Sequence, residues 1–158
     1  MSETEALPSL DRCRDIRPEI VSLRAPLVAR GHLSDLRART EHMSFRVMCY
    51  APGIGENRMH AHLEEDHIFV VMEGEAQFST LDGPLPVVGR HRAIVLPKGC
   101  FYRFSNPGSG PLVLLRFGAA KAISEARARI DPDGRPIGGR STEDGAARPT
   151  VIENAFFE

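Results

Sequence analysis

Residues 60–78 read HAHLEEDHIFVVMEGEAQF, a stretch that joins clustered histidines to a run of strand-forming residues. His60, His62 and His67 are three of the six histidines in the chain and fall within one short segment. In a β-strand, residues two apart point to the same face about 6.6–6.8 Å apart, so His60 and His62 can converge on one ion. The same spacing also suits two polar residues on the solvated face of an edge strand. The stretch therefore predicts a β-strand with a candidate metal site.

Short segments rich in valine, isoleucine and phenylalanine lie around this stretch, and glycine and proline separate them. Their spacing of about 8–12 residues is typical of a β-sandwich or β-barrel. The predicted strands cover residues 45–51, 58–63, 67–73, 76–81, 92–96, 101–105 and 112–117. The sequence thus predicts an all-β fold.

The pattern changes towards both ends of the chain. Residues 1–40 are less regular and predict edge strands with an irregular segment, whereas residues 41–118 form the predicted barrel core. In residues 119–158, the first twelve have the pattern of a short helix that ends before a proline, and a glycine- and proline-rich extended arm follows. The end of this arm, residues 151–157, carries two phenylalanines. We expect it to pack outside a barrel, a partner's rather than its own, and away from the metal.

Length and charge narrow the class of protein. A chain of 158 residues fits about one domain. Because 20 lysines and arginines face 21 acidic residues, no broad basic field exists to bind nucleic acid or a membrane surface. The acidic N-terminus lacks the pattern of a secretory signal, so we expect a cytoplasmic protein with neither kind of partner. Three cysteines without CxxC spacing argue against a disulfide framework and against a thiolate zinc site.

The histidine-rich stretch resembles the first conserved motif of the cupins, which are small β-barrels that hold a metal ion. The HxH pair, four residues, His67, six residues and Gly74 match the spacing of that motif. The second cupin motif resembles residues 97–102, followed by Asn106. The resemblance implies a cupin-type β-barrel, that is, a double-stranded β-helix or jelly roll, here with a short C-terminal helix and an extended arm. It also implies a homodimer.

The chain departs from the cupin pattern at two metal-binding positions. His67 stands where the family has a glutamate, and Tyr102 stands where it has its last histidine. One interpretation is a degenerate site that has lost its metal. The other is a rearranged site in which His60, His62 and His67 bind one divalent ion, with Tyr102 beside its open face. We favour the second interpretation because both replacements can themselves ligate a metal or transfer protons.

Two further residues, Asp66 and Arg58, enter the predicted site, and Tyr102 has a predicted role in it. Counting three residues instead of four after the HxH pair would make Asp66 the ligand, although the count to the following glycine favours His67. Tyr102 is the predicted catalytic residue, because a phenol beside a divalent ion can donate a hydrogen bond or can ionise and ligate; the alternative is a tyrosine that only fills the barrel. Arg58 shares the face of the HxH pair if it lies in the same strand, and it is the predicted substrate-binding residue because arginine pairs with carboxylates. Arg46 and Arg103 could also line the cavity by alternation, and the alternative for all three is a solvent-facing side chain.

Charge suggests the class of substrate. Three neutral imidazoles leave a divalent ion with its full charge of +2, which favours a small, anionic, chelating molecule. Three free coordination positions would suit such a substrate together with dioxygen, so an Fe(II) dioxygenase is the preferred function. Because imidazole suits several metals alike, Zn, Ni, Mn and Cu stay open. The alternatives are a non-oxidative isomerase, lyase or cyclase, and a non-catalytic cupin that binds a small ligand.

Overall fold

The computed structural model describes residues 9–123, 128–138 and 148–158, and strands dominate it. Helix α1 spans Leu10–Asp15, and its N-cap Ser9 accepts a hydrogen bond from the backbone N–H of Arg12. No helix in these ranges is long and apolar enough to cross a membrane. The strands in chain order are β1 Ala25–Arg30, β2 His32–Arg39, β3 Met43–Tyr50, β4 Gly55–His62, β5 Glu65–Glu73, β6 Glu75–Thr80, β7 Gly83–Pro84, β8 Val88–Gly89, β9 Ala93–Leu96, β10 Tyr102–Ser105, β11 Leu112–Ala120, β12 Arg129–Ile130 and β13 Thr150–Phe157.

Most of the strands form two antiparallel sheets. One has the order β12-β4-β10-β6-β7, with β8 also paired to β6, and the other has the order β2-β3-β11-β5-β9. Neighbours in each sheet are often distant in sequence, which is the crossover pattern of a jelly-roll sandwich. All seven strands predicted from the sequence form, with ends within three residues of the predicted ones. The prediction of an all-β jelly roll is confirmed.

An apolar core lies between the two sheets. The rings of Phe69, Phe78 and Phe104 pack at centroid distances of 4.9–5.6 Å. Tyr102 contacts this cluster through Phe69, at 6.1 Å between ring centroids. The inward-facing polar side chains of β4, β5 and β10 therefore lie against this aromatic core.

A second apolar cluster covers the outer face of the sheet that contains β3 and β11. Strand β1 pairs with β13 to form a separate two-stranded sheet, and the members of the cluster include Val28, Val47, Leu115 and Phe157. The arm thus packs outside the sandwich as expected. We expected the arm to pack against a partner's barrel, but in the structure β13 pairs with β1 of its own chain.

The helix predicted for residues 119–130 is wrong at both of its ends. Ala119 and Ala120 extend β11, where Ala119 lies opposite Met43 and Asp66, and Arg129–Ile130 form β12. Residues 124–127 lie outside the described part of the chain. The alanine-rich pattern has high helix propensity, but pairing with strands on both sides of β11 outweighs that weak local preference.

Candidate metal centre

Two strands, one from each sheet, bring the candidate ligands together. β4 carries His62, and β5 carries Glu65 and His67, which alternation places on its inner face. One donor atom from each of these three side chains lies within 4.8 Å of the other two. Glu65 and His67 are buried, and His62 is partly buried. The chain therefore holds two imidazoles and one carboxylate around a common point.

Glu65 is a candidate ligand that sequence analysis missed. Gly118 on the neighbouring β11 lies opposite His67, and a Cβ atom there would come within 1.9 Å of the Glu65 carboxylate. The absence of a side chain at Gly118 thus makes the room that this carboxylate occupies. The signal was present in the sequence, because residues two apart in a strand share a face and Glu65 is two residues before His67.

Asp66, the alternative acidic ligand, lies on the other face of β5. It is exposed, and its Oδ1 accepts a hydrogen bond of 2.7 Å from the backbone N–H of Lys98. In the same turn Gly99 has a φ of 83° and donates its N–H to the carbonyl of His62 at 2.7 Å. This positive φ suits glycine because it has no Cβ. The second motif therefore supports the histidine strand from outside, and the register that would make Asp66 a ligand is not adopted.

His60 is buried beside this group but is not one of the three clustered donors. Its Nδ1 lies 2.7 Å from the carbonyl oxygen of Arg58, so Nδ1 carries the proton that is donated there. Its Nε2 lies 3.3 Å from Oε2 of Glu56 without a hydrogen-bond partner among the described residues. Burial alone would raise the pKa of Glu56, but the positive charge of Arg116 helps to hold it at about 2.

Tyr102 lies between His67 of the candidate ligands and the carboxylate of Glu56. Its hydroxyl lies 3.2 Å from Nδ1 of His67 and donates to Oε2 of Glu56 at 3.3 Å. Its ring lies 4.6 Å from that of His60, between centroids. Burial and the negative charge of Glu56 raise the pKa of Tyr102 well above its ordinary value, so the phenol keeps its proton. The structure thus places Tyr102 next to the candidate ligands, in contact with one of them.

Arg116 is the second residue that sequence analysis missed. It lies on β11 opposite Phe69, and its Nη2 is 2.6 Å from Nε2 of His67 and 3.5 Å from Oε1 of Glu65. It follows Leu112 and Leu114 at a spacing of two residues, and both leucines belong to the inner core. The signal in the sequence was a charged residue in an apolar strand, on the same face as two core leucines.

Arg58, the predicted substrate-binding residue, forms an ion pair of 3.7 Å with Asp131. Side chains alternate between the two faces only along a regular strand. Between Tyr102 and Phe104, however, the partner register on β4 moves from His60 to Glu56, so β4 bulges at residues 57–59. The bulge interrupts the alternation on which the prediction rested. The Arg58 guanidinium lies by the C-terminal segment instead of among the candidate ligands.

Neutral imidazoles are what a metal requires, and the site provides them. Burial, together with the positive charge of Arg116, lowers the pKa of His62 to about 2. Burial also lowers the pKa of His67, although Glu65 opposes the shift. Imidazole nitrogen and carboxylate oxygen are common ligands of divalent transition metals. With three such donors within 4.8 Å and an unpartnered His60 Nε2 nearby, the described residues fit a divalent metal ion.

Comparisons with known proteins agree with this architecture. A sequence profile of the cupin domain matches residues 46–117. A protein with a double-stranded β-helix domain from Klebsiella pneumoniae is 17% identical with a TM-score of 0.53, covering 77% of this chain and 93% of that one. TT1209 from Thermus thermophilus is 20% identical with a TM-score of 0.52, covering 57% and 84%. The cupin domain of Cnp3 from Schizosaccharomyces pombe is 13% identical with a TM-score of 0.52, covering 59% and 67%.

At these identities the structural likenesses concern the fold alone. No curated protein sequence matches the chain. The cupin profile nevertheless spans the strands that carry His62, Glu65, His67 and Tyr102, and it ends next to the Gly118 that accommodates Glu65. The match of residues 46–117 to the cupin-domain profile therefore agrees with the jelly-roll topology and with the clustered metal-type donors.

Proposed function

We propose that this protein binds one divalent metal ion through His62, Glu65 and His67 and acts as an enzyme on a small anionic organic molecule. The observation that carries the proposal is the cluster of two imidazoles and one carboxylate within 4.8 Å. Two histidines and one carboxylate with open positions are the ligand set of non-haem Fe(II) oxygenases. Ferrous iron with dioxygen is therefore the preferred chemistry, on a ligand set that differs from the three histidines predicted by motif spacing.

The residues around the cluster have separate roles in this proposal. Bound iron would supply the redox centre. Glu65 would reduce the net charge of a bound divalent ion from +2 to +1, which neutral imidazoles cannot do. Tyr102 keeps its proton and directs its single O–H at Glu56, so the hydroxyl would have to turn from that carboxylate to donate to a bound substrate. The aromatic core formed by Phe69, Phe78 and Phe104 would exclude water from the side of the site that it contacts.

A second function has one observation in its favour. Arg116 places its guanidinium 2.6 Å from the nitrogen of His67 that a metal would use. A non-catalytic cupin that binds a small ligand without metal would keep this contact permanently. A non-oxidative isomerase, lyase or cyclase with Zn, Ni, Mn or Cu uses the same donors, and the metal that is retained distinguishes it from the dioxygenase.

Metal content of two neighbouring carboxylate variants tests the proposal. Glu65→Gln removes the charge of the inward carboxylate, whereas Asp66→Asn makes the same change one residue later on the outer face. After anaerobic loading with Fe(II) and desalting, elemental analysis is expected to find about one iron per chain in the unmodified protein and in Asp66→Asn. Glu65→Gln should lose at least about tenfold in affinity, as should His62→Ala and His67→Ala.

Equal iron content in Glu65→Gln and Asp66→Asn would contradict the assigned ligand set. Retention of no metal by the unmodified protein would favour the metal-free function. Oxygen uptake by the iron-loaded protein on a panel of β-dicarbonyls, thiols and hydroxy acids then separates oxidative from non-oxidative chemistry.

A further inference from the structure

Arg116 and a metal ion need the same lone pair of His67. An N–H of Arg116 approaches Nε2 of His67 to 2.6 Å, so that nitrogen must be an acceptor without a proton. The proton of the neutral ring then lies on Nδ1, which faces the Tyr102 hydroxyl at 3.2 Å, and that hydroxyl donates onward to Glu56. This tautomer is also the one that a metal at Nε2 requires. Because one lone pair accepts one partner, guanidinium and metal exclude each other.

The position of Glu65 shows what the guanidinium does there. Oε1 of Glu65 lies 3.1 Å from Nε2 of His67, so two electron-rich atoms face each other at close range. Arg116 contacts both of them through the same nitrogen, at 2.6 and 3.5 Å. A cation between a carboxylate and an imidazole lone pair is the role that the proposed metal would have. Arg116 thus occupies the cation position of the site.

We infer, on the basis of the proposed metal function, that the Arg116 side chain adopts two positions. In the first it stabilises the metal-free site. In the second, after a metal has displaced it, it binds the carboxylate of the substrate. A divalent ion repels a guanidinium at this distance, and the arginine side chain has several rotatable bonds through which its head group can move. Its Nε has no hydrogen-bond partner among the described residues, so the head group is held at the site through Nη2.

Charge explains why an anion would bind only after the metal. With neutral imidazoles, the charged side chains around the cluster among the described residues are Glu56, Glu65 and Arg116, and their net charge is −2 + 1 = −1. A divalent ion changes this sum to −1 + 2 = +1. The displaced guanidinium also regains a planar pair of N–H donors, the geometry that matches a carboxylate. The site therefore changes from repelling anions to binding them, and metal must precede substrate.

Cobalt titration measures the competition directly. Arg116→Met keeps the length and apolar stem of the side chain and removes its charge, and Arg103→Met is the control because Arg103 is exposed on the outer face of β10. In isothermal titration calorimetry with CoCl₂, Arg116→Met should bind at least about tenfold more tightly than the unmodified protein, since a charge-assisted hydrogen bond no longer has to be broken. Arg103→Met should bind as the unmodified protein does. Arg116→Gln provides a second uncharged variant if Arg116→Met is unstable.

Acetate serves as the carboxylate probe. Titration of the cobalt-loaded unmodified protein with acetate should change its visible spectrum, and cobalt-loaded Arg116→Met should need at least about tenfold more acetate for the same change. Equal or weaker cobalt affinity in both uncharged variants would overturn the competition, and equal acetate affinity would overturn the second position of Arg116. Failure of every protein to bind cobalt would instead overturn the proposed metal function, and this inference with it.

Discussion

At the scale of single residues, the site depends on one hydroxyl group that has two partners. The Tyr102 oxygen accepts from Nδ1–H of His67 and donates to Glu56, so it fixes the tautomer of one candidate ligand and satisfies a buried carboxylate. A phenylalanine would leave both partners without this contact. The hydroxyl, more than the ring, is therefore expected to matter for function.

Tyr102→Phe separates these two parts of the side chain. Metal content should stay near that of the unmodified protein, while turnover of a substrate found by oxygen uptake should fall by about 10²–10⁴, the range for a positioned proton donor. The free energy of unfolding should fall by about 1–3 kcal/mol, because buried polar groups lose a partner. Elemental analysis, steady-state kinetics and urea denaturation give the three values. Turnover unchanged by the substitution would reduce the tyrosine to a packing role.

Gly118→Ala tests the room provided for Glu65. The added Cβ would come within 1.9 Å of the carboxylate and 2.9 Å of the Ser44 hydroxyl, so the Glu65 side chain must move. We expect a folded protein with at least about tenfold weaker metal binding. Gly89→Ala is the control, since a Cβ there meets nothing within 4 Å. Normal metal affinity in Gly118→Ala would show that Glu65 is not a required ligand.

At the scale of elements, the sequence was enough to predict which segments form strands. It was not always enough to predict which face of the strand a side chain occupies. The strand of His67 is regular from Glu65 to Val71, so alternation correctly places His67 inward, and the same rule would have found Glu65. The strand of Arg58 is bulged, and no sequence rule marks a two-residue bulge inside an otherwise ordinary strand. Arg116 was missed for another reason: a single charge in an apolar strand is ambiguous until its neighbours across the sheet are known.

Strand β13 offers a matched pair of phenylalanines. Phe157 is buried in the outer cluster, whereas Phe156 is 38% exposed on the other face, with the Arg24 guanidinium 3.5 Å from its ring centroid. Phe157→Ala should lower the free energy of unfolding by about 3 kcal/mol, as for other buried phenylalanines, and Phe156→Ala by about 1 kcal/mol or less. Chemical denaturation measures both. Equal effects would mean that the arm does not pack as described.

At the scale of the whole molecule, the sequence contained the jelly roll and the location of the site but not the complete site. Two motifs in the right order were enough for the fold, because spacing between short strands is a property of the chain itself. The contacts of Arg116 and Gly118 depend on β11 pairing with β5, which are far apart in sequence, and local patterns do not contain such contacts. The homodimer and the cytoplasmic location stay predictions.

The pairing of β1 with β13 has a consequence for the order of synthesis. Arg24 and Glu158 form an ion pair across 134 positions of sequence, so the outer layer cannot close until the ribosome has made the last strand. At about 5–20 residues per second, roughly 2–7 s pass between completion of residue 120 and residue 157. During that interval β13 is not yet available to pack on the outer cluster that contains Val28, Val47 and Leu115. A chain that is stalled before β13 is available would present this apolar face to chaperones and proteases, so the rate of translation through β13 bears on the yield of folded protein.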